Sequence, residues 1–526
     1  MAADPVLSVV DGSADAAAVP AEVKEPRVEA LVLSTYEKLW DLLHNEALYM
    51  LDDLINHLEP KGSGRDRDFP IWPAQVFASA KWLYGSDRQV EAEFRSGELG
   101  RLCRAVVREV RPDRPDLWMV SNKQFTRHSY HHRRRALKRN RANLDRLFQE
   151  DAAAVCKEIG LCQGTTKGST WTTPAEAETW QGDGVVITAF KSVYGEAKTL
   201  EALNLNTPKA KKTKQELKNY EKALKNIESA KKIDPSIKLY VEGGGKRVLG
   251  TKAVINATRH ENPNERVITG VGLEALTGHM GDEAALAIEL FAATRSLYPT
   301  VRAFVYDGAF KGVHCRHVLW LGTLPVVRKT KDKVIKLGFP YPHAINVTCS
   351  DGVKRTINHL DTETGEVTEP MVRTKDGHPH IVTTLVDGSE LLVPCIKVAT
   401  KPVRDVFYNH YLMPEGSGID ANLVGAKFML RLNHGADDDL IGYNRCYHLR
   451  AITVHDANYK DVYGRRQDTE SGHAKLKAHL PNRRANVRGA EHLHLALLGW
   501  QVLQNSIALQ LHRRRLEAEN ASPLAA

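Results

Sequence analysis

The order of short β-branched runs and longer amphipathic runs between residues 183 and 329 constrains this chain more than any other feature. "DGVVITAF" (183–190), "AVINATRH" and "RVITGVGLEAL" are strand-like, the last two joined by the turn "ENPNE". Such residues suit a pleated, half-buried surface. "DEAALAIELFAATRSL" carries apolar residues at helical spacing, "VRAFVYDGAF" is a buried-type strand running into Asp307, and "TLPVVRK" is a further strand. Three strands, a helix, a strand, a helix and a strand predict a mixed α/β sheet.

The chain before this region has a different texture. From about residue 29 to residue 165 the apolar residues recur at three and four, as in "LVLSTYEKLWDLLHNEALYMLDDLINHL", which predicts an all-helical domain. Its most basic segment is "TRHSYHHRRRALKRNRANLDRLF". Leu137, Leu144 and Leu147 share one face there, and Arg133, Arg134, Arg135, Lys138, Arg139 and Arg141 occupy the rest. That face is either a solvated helix surface or a phosphate-contacting one, and the density of cations favours phosphate. In "YGSDRQVEAEFRSGELG", Ser86 or Asp87 is placed to cap a helix after a glycine turn, and a helix-turn-helix is compatible with it. The polar stretch "GTTKGSTWTTPAEAETWQ" links the two regions.

Two insertions interrupt the sheet pattern. "KAKKTKQELKNYEKALKNIESAKK" places Leu217, Tyr220, Leu224 and Ile227 on one helical stripe with lysines elsewhere. Residues 331–425 are rich in strand and turn signals and predict a β-rich subdomain.

At 526 residues the chain is long enough for roughly three domains of about 150 residues each. No apolar run reaches the ~18 residues of a membrane span, and the longest, "HLHLALLGWQVLQ" (492–504), predicts a buried core helix. Residues 1–28 lack the basic and apolar segments of a secretory signal and read as a disordered leader, with a short tail at 516–526. The seven cysteines, without any C-x-x-C pair, argue for a reducing cytoplasm and against a structural zinc. A net charge of +9, unevenly clustered, makes nucleic acid the leading partner class.

Short histidine groups, "HSYHH" and "HCRH", lack companion ligands for zinc and read as surface residues. Gly245 and Gly250 have P-loop spacing, but Thr251 precedes Lys252, the reverse of the required order, so a turn leading into a strand is expected.

The segment "YGRRQDTESGHAKLK" has the spacing Tyr463-x2-Arg466-x3-Glu470-x6-Lys477. On one helix, Arg466, Glu470 and Lys477 fall on a common side with Tyr463 a turn earlier, so a carboxylate able to hold a cation stands among groups able to hold phosphate. This pattern resembles the YREK signature of bacterial insertion-sequence transposases of the DDE type, over approximately residues 183–509. "LPNRRANVRG" and the following long apolar helix also resemble that family's tail.

The resemblance implies a ribonuclease H-like catalytic core over 180–330 and 426–515, with 331–425 inserted and a helical DNA-binding domain in front. It implies two further carboxylates, one on the first strand and one at the end of the fourth. Asp307 matches the second. Asp183 is chosen for the first, with Glu176, Glu178 and Glu242 as rivals. Asp183, Asp307 and Glu470 would then hold two Mg²⁺ or Mn²⁺ ions, since hard cations take oxygen ligands. Tyr463, Arg466 and Lys477 would grip phosphates, with Arg483, Arg484 and Arg488 as further DNA contacts. The expected partners are duplex DNA, as transposon ends and target, and a second copy of the chain, in a bacterial cytoplasm at the nucleoid. A related nuclease without strand transfer, or an inactive DNA-binding descendant, are the alternatives. Trp320 invites comparison with a base-flipping residue, although a core tryptophan is the expectation.

Overall fold

The computed structural model describes residues 33–59, 69–120, 123–190, 196–203, 213–242, 246–278, 281–328, 338–359, 371–385, 387–416 and 418–521. The leader at 1–28, Gly245 and the last five residues of the tail lie outside them.

The first helices are α1 (Thr35–Leu43), α2 (Ala47–Leu58), α3 (Trp72–Tyr84), α4 (Asp87–Arg95), α5 (Glu98–Val110), α6 (Arg127–Arg139) and α7 (Arg141–Ile159). Their starts follow local capping chemistry. Ser34 and Glu37 form a reciprocal capping box on α1, and the buried Asp52 accepts from the Ile71 and Trp72 amides at the start of α3, at 2.6 and 2.7 Å. Gly85 adopts φ +81° between α3 and α4, and Ser86 caps α4 as the sequence suggests.

The sheet region follows as β1 (Thr179–Thr188), α8 (Glu196–Leu203), α9 (Lys214–Ile233), β2 (Lys238–Val241), β3 (Arg247–Thr258), β4 (Val267–Leu273), α10 (Glu283–Thr294), β5 (Ala303–Val305), α11 (Gly312–Trp320) and β6 (Leu324–Val326). The result is a mixed α/β architecture. The sheet order is β2-β3-β1-β5-β6, with β4 pairing a different stretch of β3. β3 is antiparallel to β1, β2 and β4, whereas β5 is parallel to both β1 and β6.

β1 starts at Thr179, in a stretch whose sequence, "AETWQG", gives little strand signal, so Asp183 sits mid-strand and not at its beginning. Trp180 explains the earlier start: its ring is fully buried against Phe291, Tyr298 and Phe304. Tertiary packing of one large ring outweighs weak local propensity. On α9 the buried residues are Ala223 and Ile227, while Leu224 is exposed, so the stripe is rotated from the predicted one.

The inserted region forms two antiparallel sheets. The strands are β7 (Phe339–Pro340), β8 (Ile345–Thr348), β9 (Lys354–Ile357), β10 (Val372–Lys375), β11 (His378–Thr384), β12 (Glu390–Pro394), β13 (Ile396–Val403), β14 (Val406–Leu412) and β15 (Lys427–Arg431). One sheet runs β12-β11-β10-β7 and the other β13-β14-β15-β8-β9, so the β-rich unit extends past residue 425 to include β15.

The chain closes with α12 (Ala436–Leu440), α13 (Arg445–His448), α14 (Tyr459–Gly464), α15 (Gln467–Ala478) and α16 (Ala490–Ala521). α16 is the predicted core helix. It binds the N-terminal helices to the sheet, since one hydrophobic cluster contains Leu48 and Phe77, Val185 and Ile268 of the sheet, and Leu497 and Leu503 of α16. Close approach of α16 to α3 is fixed at Gly499, where a Cβ would lie 3.0 Å from the Ala78 carbonyl carbon. Ser79 and Trp82 also donate to carbonyls of α16. The change of texture near residue 165 therefore marks a change of element type within a shared core. All seven cysteines are buried and free. Among the described residues no helix is long and apolar enough to cross a membrane.

Candidate active site

The parallel pairing of β1 with β5 runs Thr179 to Ala303, Trp180 to Phe304 and Gln181 to Val305. Continuing this register beyond its last pair sets Asp183 opposite Asp307, where β5 has given way to a turn. Asp307 shapes that turn, its Oδ1 accepting from the Ala309 amide at 2.8 Å. Asp183 is only 8% exposed. Burial, followed by the charge of Asp307, raises its carboxyl pKa to about 6.

A helix covers this pair. Val462 of α14 packs with Val305 and Val326, the ends of β5 and β6, and α15 packs on β1. Arg465 and Arg466 form a turn between α14 and α15, so Tyr463 and Glu470 stand on two consecutive short helices and not on one. Tyr463 stacks on Tyr459 with centroids 5.2 Å apart, and burial raises its hydroxyl pKa, so the hydroxyl remains a donor.

Asp183 meets the residues on either side of the glutamate. Thr469 lies with its Oγ1 3.4 Å from Asp183 Oδ2, and His473 Nδ1 is 3.8 Å from the same oxygen. Burial, then the charges of Lys477, Arg266 and Arg466, push His473 down to about 3, so its imidazole is neutral. Glu470 faces solvent, its side chain 63% exposed and 3.4 Å from Arg466 Nη1. The buried stripe of this segment is Val462, Thr469 and Leu476, with His473 beside it. That seven-residue spacing is the sequence signal for Thr469, whereas the Tyr463-Arg466-Glu470-Lys477 pattern points to Glu470.

The rival carboxylates are engaged elsewhere. Glu178 is fully buried, pairs with Arg302 at 2.5 Å and accepts from the Thr166 amide and Ser169. Glu176 pairs with Arg259 at 2.9 Å, and Glu242 lies 3.7 Å from Lys477. Glu283 is a carboxylate that sequence reasoning missed. It pairs with Lys252, and its Oε2 occupies the space a Cβ on Gly184 would need. Its charge acts on Asp183.

The donor set suits a divalent cation at Asp183 and Asp307. Neither carboxylate has a lysine or arginine ion pair among the described residues, and a neutral imidazole stands beside Asp183, although Asp183, Asp307 and His473 do not bring their ligand atoms within 4.8 Å of one another. Hard cations take such oxygens. Glu470 does not converge with them. The histidine and carboxylate groups whose ligand atoms lie within 4.8 Å of one another, among the described residues, are His260, Glu265 and His512, and His343, Asp437 and Asp438. Both groups are already bound by arginines, Glu265 by Arg515 and Asp438 by Arg445.

The basic residues fall in several environments. Arg133 is buried, 7% exposed, which removes it from any surface contact. Its position on α6 beside Tyr130, Ala136 and Leu137 points it inward, and the charge run hid that periodicity. Arg135 is exposed. Arg139 pairs with Glu59 and Lys138 with Glu491, each at 2.5 Å. Arg483 is exposed, Arg484 pairs with Glu196, and Arg488 donates to the Ile233 carbonyl. Trp320 is 59% exposed at the end of α11, with Arg316 4.6 Å from its ring centre, and is not a core residue. Of the "HCRH" histidines, His314 is buried and bonded to the Lys311 amide, because it caps the start of α11.

A scan against protein-family models and a search of curated proteins both returned no match for this chain.

Proposed function

We propose that the chain is a DNA transposase of the DDE type, built on a ribonuclease H-like core, which cuts at transposon ends and joins them to target DNA. The observation that carries the reading is the placement of Asp183 on β1 and Asp307 just past the end of the neighbouring parallel strand β5, near enough for the charge of Asp307 to act on Asp183, under the segment that carries Tyr463, Arg466, Glu470 and Lys477. The sheet adds support: β1, β3 and β4 are antiparallel with the short β2 added along β3, β5 and β6 follow in parallel, and one carboxylate lies on β1 with the other just past the end of β5.

Asp183 and Asp307 would hold Mg²⁺ or Mn²⁺, with Glu470 completing the set. Bound there, two such ions supply a deprotonated nucleophile and neutralise charge on the phosphodiester. Arg466 has two claims on it: Glu470 in the free protein and a phosphate once DNA is bound. A phosphate offers a fork-shaped guanidinium more charge than an exposed carboxylate does. Release of Glu470 by Arg466 then lets the carboxylate turn toward Asp183, so DNA binding assembles the site. Tyr463 donates its hydroxyl to a neighbouring phosphate oxygen, and Lys477 adds charge without geometric demand.

Cleavage of a donor DNA carrying the element's own ends, with Mg²⁺ and with EDTA, tests the reading. Metal-dependent release that disappears in Asp183→Ala supports it. Binding of the ends without cleavage favours the inactive DNA-binding descendant, a reading that the outward Glu470 supports. Cleavage without joining favours a nuclease.

A further inference from the structure

The two sides of the β3–β4 turn and helix α16 converge on one point. His260 follows β3, Glu265 precedes β4, and His512 lies in the C-terminal half of α16. One nitrogen of each imidazole meets the same carboxylate oxygen: Glu265 Oε2 is 3.2 Å from His260 Nε2 and 2.8 Å from His512 Nδ1. A ligand atom of each residue lies within 4.8 Å of the other two. Glu265 and His512 are buried, while His260 reaches solvent.

The hydrogen bonds within this group do not satisfy it. Arg515 Nη2 lies 3.1 Å from both His512 Nδ1 and Glu265 Oε2. His512 Nδ1 must carry a proton to donate to Oε2 and must lack one to accept from Nη2, so one of the two contacts goes unmade in either tautomer. The far oxygen, in contrast, is fully engaged: Arg515 Nε and Asn262 Nδ2 donate to Oε1 at 2.7 and 2.8 Å. Those bonds leave Oε2 directed at the imidazoles, and a metal-ligating carboxylate is oriented in the same way by its outer partners.

We propose that His260, Glu265 and His512 form a site for a zinc-class divalent cation, with water as the fourth ligand. Two imidazoles and one carboxylate are a zinc donor set. Bonds of about 2.0–2.2 Å set neighbouring ligands of a tetrahedron about 3.3–3.6 Å apart, so the observed 3.2 and 2.8 Å need only a small outward movement. The cation takes lone pairs from both nitrogens and from Oε2. Arg515 keeps its Nε bond to Oε1 and turns Nη2 aside, held by Glu519, which accepts from Nη1 at 2.8 Å. The chain neighbours of two ligands reach α15: Arg259 pairs with Asp468 at 2.5 Å, and Arg266 donates to Ser471 Oγ at 3.0 Å. The ion therefore ties the β3–β4 turn to α16 and braces the arginines that hold α15 on either side of Glu470. This nitrogen-rich site differs in kind from Asp183 and Asp307, whose oxygens suit Mg²⁺, and it is independent of any reaction on DNA.

The test is a Zn²⁺ titration of the full chain, stripped of metal and kept in excess Mg²⁺, in competition with a chromophoric chelator. Wild type is expected to bind Zn²⁺ with an affinity that falls more than about a hundredfold in His260→Gln and in His512→Gln, beyond the roughly 10–100-fold cost of losing an outer partner. Zn²⁺ should also raise the melting transition of wild type and leave that of His260→Gln in place. Because His260 reaches solvent, His260→Gln should keep the wild-type melting transition without metal, even where the buried His512→Gln does not fold. His343→Gln, in the other histidine and carboxylate group, is the control and should keep wild-type affinity. No Zn²⁺ uptake by wild type, or equal affinity in His260→Gln, overturns the proposal. So does affinity lost in Asp183→Asn and kept in His260→Gln, since the ion then sits at the sheet carboxylates.

Discussion

Asp183 and Asp307 stand side by side because the parallel register of β1 and β5, carried past Gln181 and Val305, brings one opposite the other. Replacing either with asparagine keeps the shape and removes the charge. Asp183→Asn and Asp307→Asn are each expected to reduce metal-dependent cleavage by more than about a hundredfold, with duplex binding retained in a gel-shift measurement. Full cleavage by either variant would remove that residue from the site.

The Asp183 carboxyl titrates near 6 in the folded chain. A folded pKa above the unfolded value means the folded state holds its proton more tightly, so the stability this group contributes is full below about pH 4 and lost as pH rises through 6. At pH 7 the metal-free Asp183→Asn variant is therefore expected to be more stable than wild type by on the order of 2–3 kcal/mol, read from urea unfolding. Divalent cation affinity should rise with pH to about 6 and then level off. A variant less stable than wild type contradicts the assignment of a strained, buried charge.

Glu470 separates activity from folding. Its side chain is mostly exposed and its pair with Arg466 is loose, so Glu470→Gln should change stability by no more than about 0.5 kcal/mol. Cleavage should nevertheless be lost. Thermal unfolding beside the cleavage assay checks both halves, and a destabilised variant would show that the residue has a structural role.

Gly250 lies where β3 crosses β1, and a Cβ there would sit 2.2 Å from the Ile187 carbonyl oxygen. Backbone cannot swing aside as a side-chain end can. Gly250→Ala is expected to cost roughly 1–3 kcal/mol, measured by denaturant midpoint, through loosening of the strand that carries Asp183.

The β-rich unit has its own acid-sensitive point. Asp438 is fully buried; burial works to raise its pKa, but the Arg445 fork, at 2.7 and 2.8 Å, holds it at about 2. A depressed folded pKa contributes stability above about pH 4 that is lost as pH falls toward 2. Asp438→Asn should cost up to about 3–5 kcal/mol by leaving the buried Arg445 with only the looser ion pair to Asp437, at 3.6 Å, and its unfolding should be less steep with pH over that range.

Local pattern was sufficient for several elements. The β-branched runs at β3 and β4, the cap at Ser86 and the apolar run of α16 are legible in sequence because each depends on neighbours within a few residues. Placing Asp307 after a buried strand was equally local. Tertiary structure alone decided the start of β1, where burial of Trp180 among rings from α10 and β5 extends the strand beyond its propensity. It also decided which face of each basic helix turns inward, sending Arg133 into the core and Trp320 out of it. At the candidate site the sequence supplied the residues and the fold supplied their order: the parallel register of β1 and β5 brought Asp183 and Asp307 to the same end of the sheet, and the packing of Val462 and Leu476 turned Thr469 and His473, not Glu470, toward Asp183. Spacing along a chain fixes which side chains share a face, but the direction that face points is set by what the rest of the chain buries against it.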